Sequence, residues 1–441
     1  MGKEMKMKTS AAIGYGLGSL GKDLALGVIG SYLLIFYTDI LGISAAAAGV
    51  ILVATKIWDA VNDPMMGAIV DRTNSRFGRF RPYILFVPVP LAVFSALCFV
   101  APDWSAPAKV IYAAITYTVT GMLFTAYDVP LWGMVPSITD TPDESNRCIS
   151  AARFFTSLGM FIAMTFAYPL IERLGGGTAN DNLRAGYPRF MILIGILSVV
   201  FAWVAFSVTK EKPQENQAVP GKIFGGFLEI IRERNVMVLF LTMMLHAVAM
   251  IVPNVVGTYY MIYYWGRPDL IAVYFAICSV TGLATAPLTA MILKKMTARS
   301  LTLAAMGICL VLSAAAFVIP AGQIGLILTV FALFGLVMPV PMVTVTSLLV
   351  EEGHGIYRKT GVRKDGILFS LNSFAIKCGT ALASAIVSVI LSVTKYNAAQ
   401  GVQAPAVLTG INAARTIVIA FVYLAAIIIF SRLKQDGGER V

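Results

Sequence analysis

Twelve apolar stretches, each long enough to cross a bilayer, dominate this chain of 441 residues. They fall at about 11–38, 45–70, 82–101, 108–137, 149–171 and 187–208, then at about 235–264, 270–293, 300–319, 324–349, 366–393 and 410–431. A spanning helix takes roughly 20 residues. In lipid only helices and closed barrels satisfy their own backbone groups, so stretches of this length predict an all-α membrane protein. Composition agrees: 58% of the residues are apolar and 13% charged, against about 25% charged in soluble domains. That leaves short loops and no sizeable soluble domain. A cytosolic enzyme on a single anchor and a disordered chain are both excluded.

A polar, proline-containing segment, KEKPQENQAVPGK, separates the sixth stretch from the seventh. It predicts an N-terminal six-helix bundle over 1–209, a cytoplasmic linker over 210–222 and a C-terminal six-helix bundle over 223–441. The basic N-terminus, MGKEMKMKTS, has no small-residue cleavage site, so the first span reads as retained and not as a secretory signal.

The net charge of +11 invites a nucleic-acid reading. In a polytopic protein the first question is which side of the bilayer holds the basic residues. With the N-terminus placed inside, 23 of the 34 Lys and Arg residues fall in inside segments and six in outside loops. The charge therefore orients the chain, with both termini cytoplasmic, and implies no nucleic-acid partner. The five cysteines are scattered, without CxxC or paired spacing, so neither a disulfide framework nor a zinc site is expected. No Ser-His-Asp, H-E-x-x-H or P-loop pattern is present, which argues against a protease or an ATP-driven pump. Transport energy has to come from a gradient.

The loop after span 2 reads Gly67-x-x-x-Asp71-Arg72 and then Arg76-Phe77-Gly78-Arg79. It is similar to the loop signature of the major facilitator superfamily. The corresponding loop after span 8, Lys294-Lys295-Met296-Thr297-Ala298-Arg299, is a degraded echo. Twelve spans, a central linker and this pair of loops point to a two-half transporter.

Ionisable groups inside spans cost at least ~2.5 kcal/mol each and are functional candidates. Four acids qualify, Asp23, Asp59, Asp63 and Asp128, all in spans 1, 2 and 4. The second half offers one mid-span base, Lys377, and no clear acid. Asp59, Asn62 and Asp63 stand at i, i+3 and i+4, on one helical face, an oxygen-rich set suited to a small hard cation or a proton. Pro64 frees a carbonyl near Ala60 for the same purpose. The plain alternative is that the two acids only hold Lys56 and Lys377 in packing salt bridges. In span 4, Thr125, Asp128 and Trp132 share a face at i, i+3 and i+7. A carboxylate one turn from an indole suits a sugar, the acid taking hydroxyls and the ring its C–H face; the alternative is an interfacial tryptophan.

Lys22 and Asp23 are adjacent and point about 100° apart. Asp23 is therefore expected to face the cavity, with Lys22 towards a neighbouring helix or the edge of the same cavity, and the two not simply paired. Arg153 sits near the cytoplasmic end of span 5, where snorkelling is the alternative. Arg415, at the start of span 12, is expected to snorkel outward. His246 is expected to be a hydrogen-bonded core residue.

The runs GYGLGSLGKDLALG, YTDILGI, WDAVNDPMMGAIVDRTNSRFGRFRPYIL, TAYDVPLWGMVPSIT and ARFFTSLG resemble the glycoside–pentoside–hexuronide:cation symporters, the melibiose permease group of the major facilitator superfamily. The likeness covers the first half in order. In the second half it rests on AIKCG around Lys377 and the layout of spans. It implies a coupling cation (Na⁺, Li⁺ or H⁺) held by Asp59 and Asp63, with Asn62 and Thr125 in the same set. It implies sugar hydroxyls bound by Asp23 and Asp128, with Lys22, Trp132 and Arg153 as further sugar contacts, and Lys377 beside the cation site in a coupling role. Two features depart from the family: no tryptophan occurs beyond Trp265, with Pro339, Pro341 and Met342 in the span-10 region. The acidic segment after span 10 reads Val350-Glu351-Glu352-Gly353-His354.

Together these readings give a multi-pass bacterial inner-membrane symporter that works by alternating access. It carries a sugar or glycoside with a monovalent cation, functions as a monomer in the lipid bilayer, uses no cofactor beyond the coupling cation and is not an enzyme. The alternative is a proton-coupled carrier of another small polar solute such as a hexuronide.

Overall fold

The computed structural model describes residues 9–139, 142–211, 233–320, 322–360, 365–398, 400 and 402–433. Most of the linker expected at 210–222 lies outside the described residues. Those described are helical, with no strand among them. Ten helices are long and apolar enough to cross a membrane, and two shorter apolar ones, Pro88–Leu97 and Pro268–Thr281, stand at the third and eighth expected spans. The chain divides into two compact units, one made chiefly of Met1–Gln217 and the other of Ala218–Pro268, Ile277–Tyr396 and Val402–Val441.

The first unit contains α1 (Thr9–Ile35), α2 (Ala45–Arg72), α3 (Arg81–Phe86), α4 (Pro88–Leu97), α5 (Ala106–Gly133), α6 (Val135–Ile138), α7 (Pro142–Gly175) and α8 (Asn180–Val208). Span 3 is divided between α3 and α4 because Pro88, just past Val87, has no N–H to continue the ladder. In this unit α1 packs on α7 and α8, α2 on α5, and α4 on α8. Tyrosine hydroxyls pin α1 to its neighbours: Tyr15 donates to the Leu131 carbonyl at 2.7 Å, and Tyr32 to that of Met164 at 2.9 Å. Such polar ties matter where the surrounding lipid is as apolar as the helix surface.

The second unit contains α9 (Arg234–Tyr259), α10 (Ile271–Leu293) from Ile277 onward, α11 (Ala298–Val318), α12 (Ile324–Val337), α13 (Val340–Thr360), α14 (Asp365–Val393), α15 (Pro405–Arg415) and α16 (Ile417–Ser431). It repeats the packing scheme of the first: α9 packs on α14 and α16, and α11 on α16. Span 10 breaks between α12 and α13, at the Pro339–Pro341 region.

The same repeat appears at the end of each unit's leading helix. α1 runs into a π-turn, Phe36–Ile40, and α9 into another, Tyr260–Tyr264. Leu41 N–H donates to Phe36 O and Ile43 N–H to Tyr37 O, while Trp265 N–H donates to Tyr260 O and Arg267 N–H to Met261 O. A glycine of positive φ follows each turn, Gly42 at 75° and Gly266 at 64°.

Span 12 starts earlier than expected, at Pro405, and breaks at Thr416 (φ −123°, ψ −78°). Arg415 is consequently ten residues into the helix, about 15 Å from its start at 1.5 Å per residue, too deep to snorkel outward. It is instead 1% exposed, with its guanidinium 3.9 Å from the Phe331 ring centroid and 5.4 Å from that of Phe334. His246 is in the core, as expected, beside Tyr423. However, neither ring nitrogen finds a hydrogen-bond partner among the described residues.

Candidate functional site

One face of α5 organises the site. Gly121, Thr125, Asp128 and Trp132 recur at i, i+4, i+7 and i+11, the spacing of a single helical stripe. The upper part of this stripe meets α2 and the lower part meets α1 and α7.

On the α2 side, the Thr125 hydroxyl donates to Asp63 Oδ1 at 3.0 Å. Asp59 and Asn62 are buried, each 7% exposed. Lys56 Nζ pairs with Asp59 Oδ2 at 3.0 Å and lies 5.8 Å from the Tyr117 ring centroid. The other carboxylate oxygen, Asp59 Oδ1, and the amide nitrogen of Asn62 have no hydrogen-bond partner among the described residues. A buried unpaired carboxylate oxygen carries a full desolvation cost, and a small cation would remove it. Gly121 makes the room: a Cβ there would come within 2.6 Å of Asp59 Oδ1. Asp59, Asn62 and Asp63 on α2 and Thr125 on α5 carry hard oxygen donors of the kind hard cations take, and the unpartnered Asp59 Oδ1 fits a cation.

On the other side of the stripe, Lys22 does what the adjacent-residue argument excluded. Its Nζ lies 2.9 Å from both oxygens of Asp23 and 3.0 Å from Asp128 Oδ1. The expected 100° divergence of neighbouring side chains applies to Cβ directions, and a four-carbon stem is long enough to bend back across it. Asp23 is nearly closed from solvent and Asp128 less so, their side chains 3% and 30% exposed. Asp128 also accepts from Trp132 Nε1 at 3.1 Å, and the Arg153 guanidinium stacks 4.9 Å from the Trp132 ring centroid. Thus all five residues expected to bind sugar form one connected chain: Asp23, Lys22, Asp128, Trp132 and Arg153. Arg153 is exposed at the end of that chain. Trp132 is held by its bond to Asp128.

Three residues at the site drew no prediction from the sequence. Thr156 on α7 donates to Asp23 Oδ2 at 2.6 Å. Phe124 places its ring 5.3 Å from Lys22 Nζ. Gly121 bounds the Asp59 side. A threonine, a phenylalanine or a glycine in an apolar helix carries no signal of its own. Lys377 lies half-buried on α14, in the second unit.

At the end of the first unit where α2 meets α3, the Glu211 carboxylate accepts the backbone N–H groups of Arg79, Phe80 and Arg81 at 2.7, 2.8 and 2.6 Å. Gly78 is required there: its φ is +106°, and a Cβ would fall 2.6 Å from Glu211 Oε2. The tie joins the α2–α3 loop to the segment that leaves α8.

A family profile described as MFS/sugar transport protein matches residues 14–437. Among curated relatives, an uncharacterized symporter of Bacillus subtilis is 32% identical over 96% of this chain and 91% of its own. The isoprimeverose transporter of Lactiplantibacillus pentosus is 29% identical over 90% of this chain and 83% of its own. A glucuronide carrier protein homolog of Escherichia coli is 29% identical over 98% and 93%. Among solved structures, a D-xylose-proton symporter superposes with a TM-score of 0.68 at 14% identity, covering 98% of this chain and 99% of that one. That likeness concerns the fold.

Proposed function

The chain belongs to the MFS/sugar transport protein family, and from that premise we propose that α5 couples a cation site to a sugar site in a symporter of the bacterial inner membrane. The protein is a transporter and not an enzyme. It moves a sugar or glycoside together with a cation by alternating access. The coupling ion is Na⁺, Li⁺ or H⁺, bound by Asp59, Asn62, Asp63 and Thr125. The sugar is bound by Lys22, Asp23, Asp128, Trp132 and Arg153. Lys377 serves coupling from the second half, as the family resemblance implies. Both termini are cytoplasmic, on the distribution of basic residues, and the working unit is a monomer.

The observation that carries this reading is the α5 stripe. Thr125 bonds a cation-set acid and Asp128, one turn on, bonds the sugar-set lysine. Each site holds one lysine against two acids, Lys56 on Asp59 in the cation set and Lys22 shared between Asp23 and Asp128 in the sugar set. A bound cation competes with Lys56 for Asp59, and sugar hydroxyls compete with Lys22 for Asp23 and Asp128. Each ligand then favours the arrangement of α5 that the other binds better, which is the meaning of coupling.

An acidic sugar is the second reading. The exposed Arg153 guanidinium can pair with a carboxylate in bidentate fashion, and one relative is named a glucuronide carrier homolog. Uptake into proteoliposomes decides between them. Isoprimeverose and a β-glucuronide are offered under imposed Na⁺, Li⁺ and H⁺ gradients. Gradient-driven accumulation of either sugar supports symport and names the class. If no gradient raises uptake of either, the reading fails.

A further inference from the structure

A threonine in a helix ordinarily returns its hydroxyl proton to the carbonyl four residues back. This chain follows that habit at Thr116, Thr120, Thr242, Thr289, Thr346 and Thr380. Thr125 and Thr156 break it. Each donates to an aspartate within a span of another helix, Thr125 to Asp63 and Thr156 to Asp23. A hydroxyl has one proton, so each choice forgoes the intrahelical bond.

We propose that Thr156 is a positioning residue of the sugar site, which holds the Asp23 carboxylate in the orientation that receives a sugar hydroxyl. This rests on the reading of Asp23 as a sugar ligand. Asp23 has two restraints: Lys22 at 2.9 Å on both oxygens and Thr156 at 2.6 Å on Oδ2. They differ in kind. Lys22 is shared with Asp128 and is the partner that an arriving hydroxyl displaces. Thr156 stands on α7, one turn beyond Arg153 on the same face, and competes with no ligand. When Lys22 gives way, Thr156 alone keeps Asp23 from turning. By bonding Oδ2 it fixes the plane of the carboxylate, so that the lone pairs Lys22 releases face the incoming sugar hydroxyl in a set direction. A carboxylate accepts about four hydrogen bonds, which leaves capacity for the ligand.

The test uses the full-length protein in proteoliposomes, with labelled isoprimeverose and, in parallel, a labelled β-glucuronide as probes. In T156V and T156A the KM for the transported probe rises about tenfold, the usual scale for loss of a charge-assisted hydrogen bond. The maximal rate stays within about twofold of wild type. T156S, which keeps the hydroxyl, restores KM to within about twofold. The half-saturating cation concentration at saturating sugar is unchanged in all three, which separates lost positioning from a misfolded chain. An unaltered KM in T156V and T156A overturns the inference. So does a T156S as impaired as T156V, or a fall in maximal rate at constant KM. Absence of gradient-driven uptake of both probes by the wild type would overturn the symport reading itself, a different and distinguishable failure.

Discussion

Two lysines, Lys22 and Lys56, occupy the positions that ligands are expected to take. Each pairs with acid in a span, Lys56 with Asp59 and Lys22 with Asp23 and Asp128, where a charge costs at least ~2.5 kcal/mol per group. The four aspartates were legible in the sequence because any acid in an apolar stretch demands an explanation. The pairing of Lys22 was not legible, since Cβ directions do not tell where a long side chain ends. Thr156 and Gly121 were silent because both types are ordinary in membrane helices. Gly121 yields a prediction. G121A places a methyl against Asp59 Oδ1, and overpacking of this kind costs about 1–3 kcal/mol. The half-saturating cation concentration should therefore rise about tenfold or more, read from uptake against cation concentration. Unchanged cation dependence in G121A would show that Asp59 Oδ1 is not where the cation binds.

At the scale of elements, ten of the expected stretches coincide with helices long enough to cross a membrane and two with shorter apolar helices among the described residues. Several helices begin or end well beyond the expected bounds, as at Pro142, Asn180 and Thr360. Span 12 begins at Pro405, so Arg415 is buried between aromatic rings and not at an interface. Sequence hydropathy could not find this, because the polar turn Thr409–Asn412 resembles a loop until the helix is seen to run through it. R415A should destabilise the protein by about 2–4 kcal/mol through a cavity and lost ring contacts. R415M, which keeps most of the volume, should recover much of that. Thermal unfolding in detergent reads both, and an R415A as stable as wild type would contradict the role. The Glu211 tie makes a second element-scale prediction. Loss of three hydrogen bonds to a charged carboxylate is worth about 1.5–3 kcal/mol or more. E211A should speed hydrogen exchange at Arg79–Arg81 by at least about tenfold, and equal protection in both proteins would contradict it.

For the whole molecule, the internal repeat is clearer in backbone geometry than in sequence. The loops after spans 2 and 8 are only faintly alike. The π-turns Phe36–Ile40 and Tyr260–Tyr264, with their paired backbone bonds and following glycines, repeat closely. Their sequences share little, because a π-turn is set by backbone bonding and a terminal glycine and not by particular side chains. The charges do not follow the repeat: the span acids lie in the first unit. The expected orientation rests instead on the distribution of the basic residues. W104C, at an exposed position of a loop expected outside, should label with an impermeant maleimide in intact cells. R76C, in the α2–α3 loop, should label only after permeabilisation. The reverse pattern would invert the orientation.

Reciprocal binding tests most directly whether one stripe of α5 links two sites. The affinity for the transported sugar is measured with and without the coupling cation, and the cation affinity with and without that sugar, in wild type and D59C. Linkage requires the two factors to be equal. Each ligand should tighten the other by the same factor in wild type, and D59C should keep basal sugar binding but lose the cation's effect on it. Sugar affinity that ignores the cation in wild type, or cation-dependent sugar affinity that survives in D59C, would contradict that linkage.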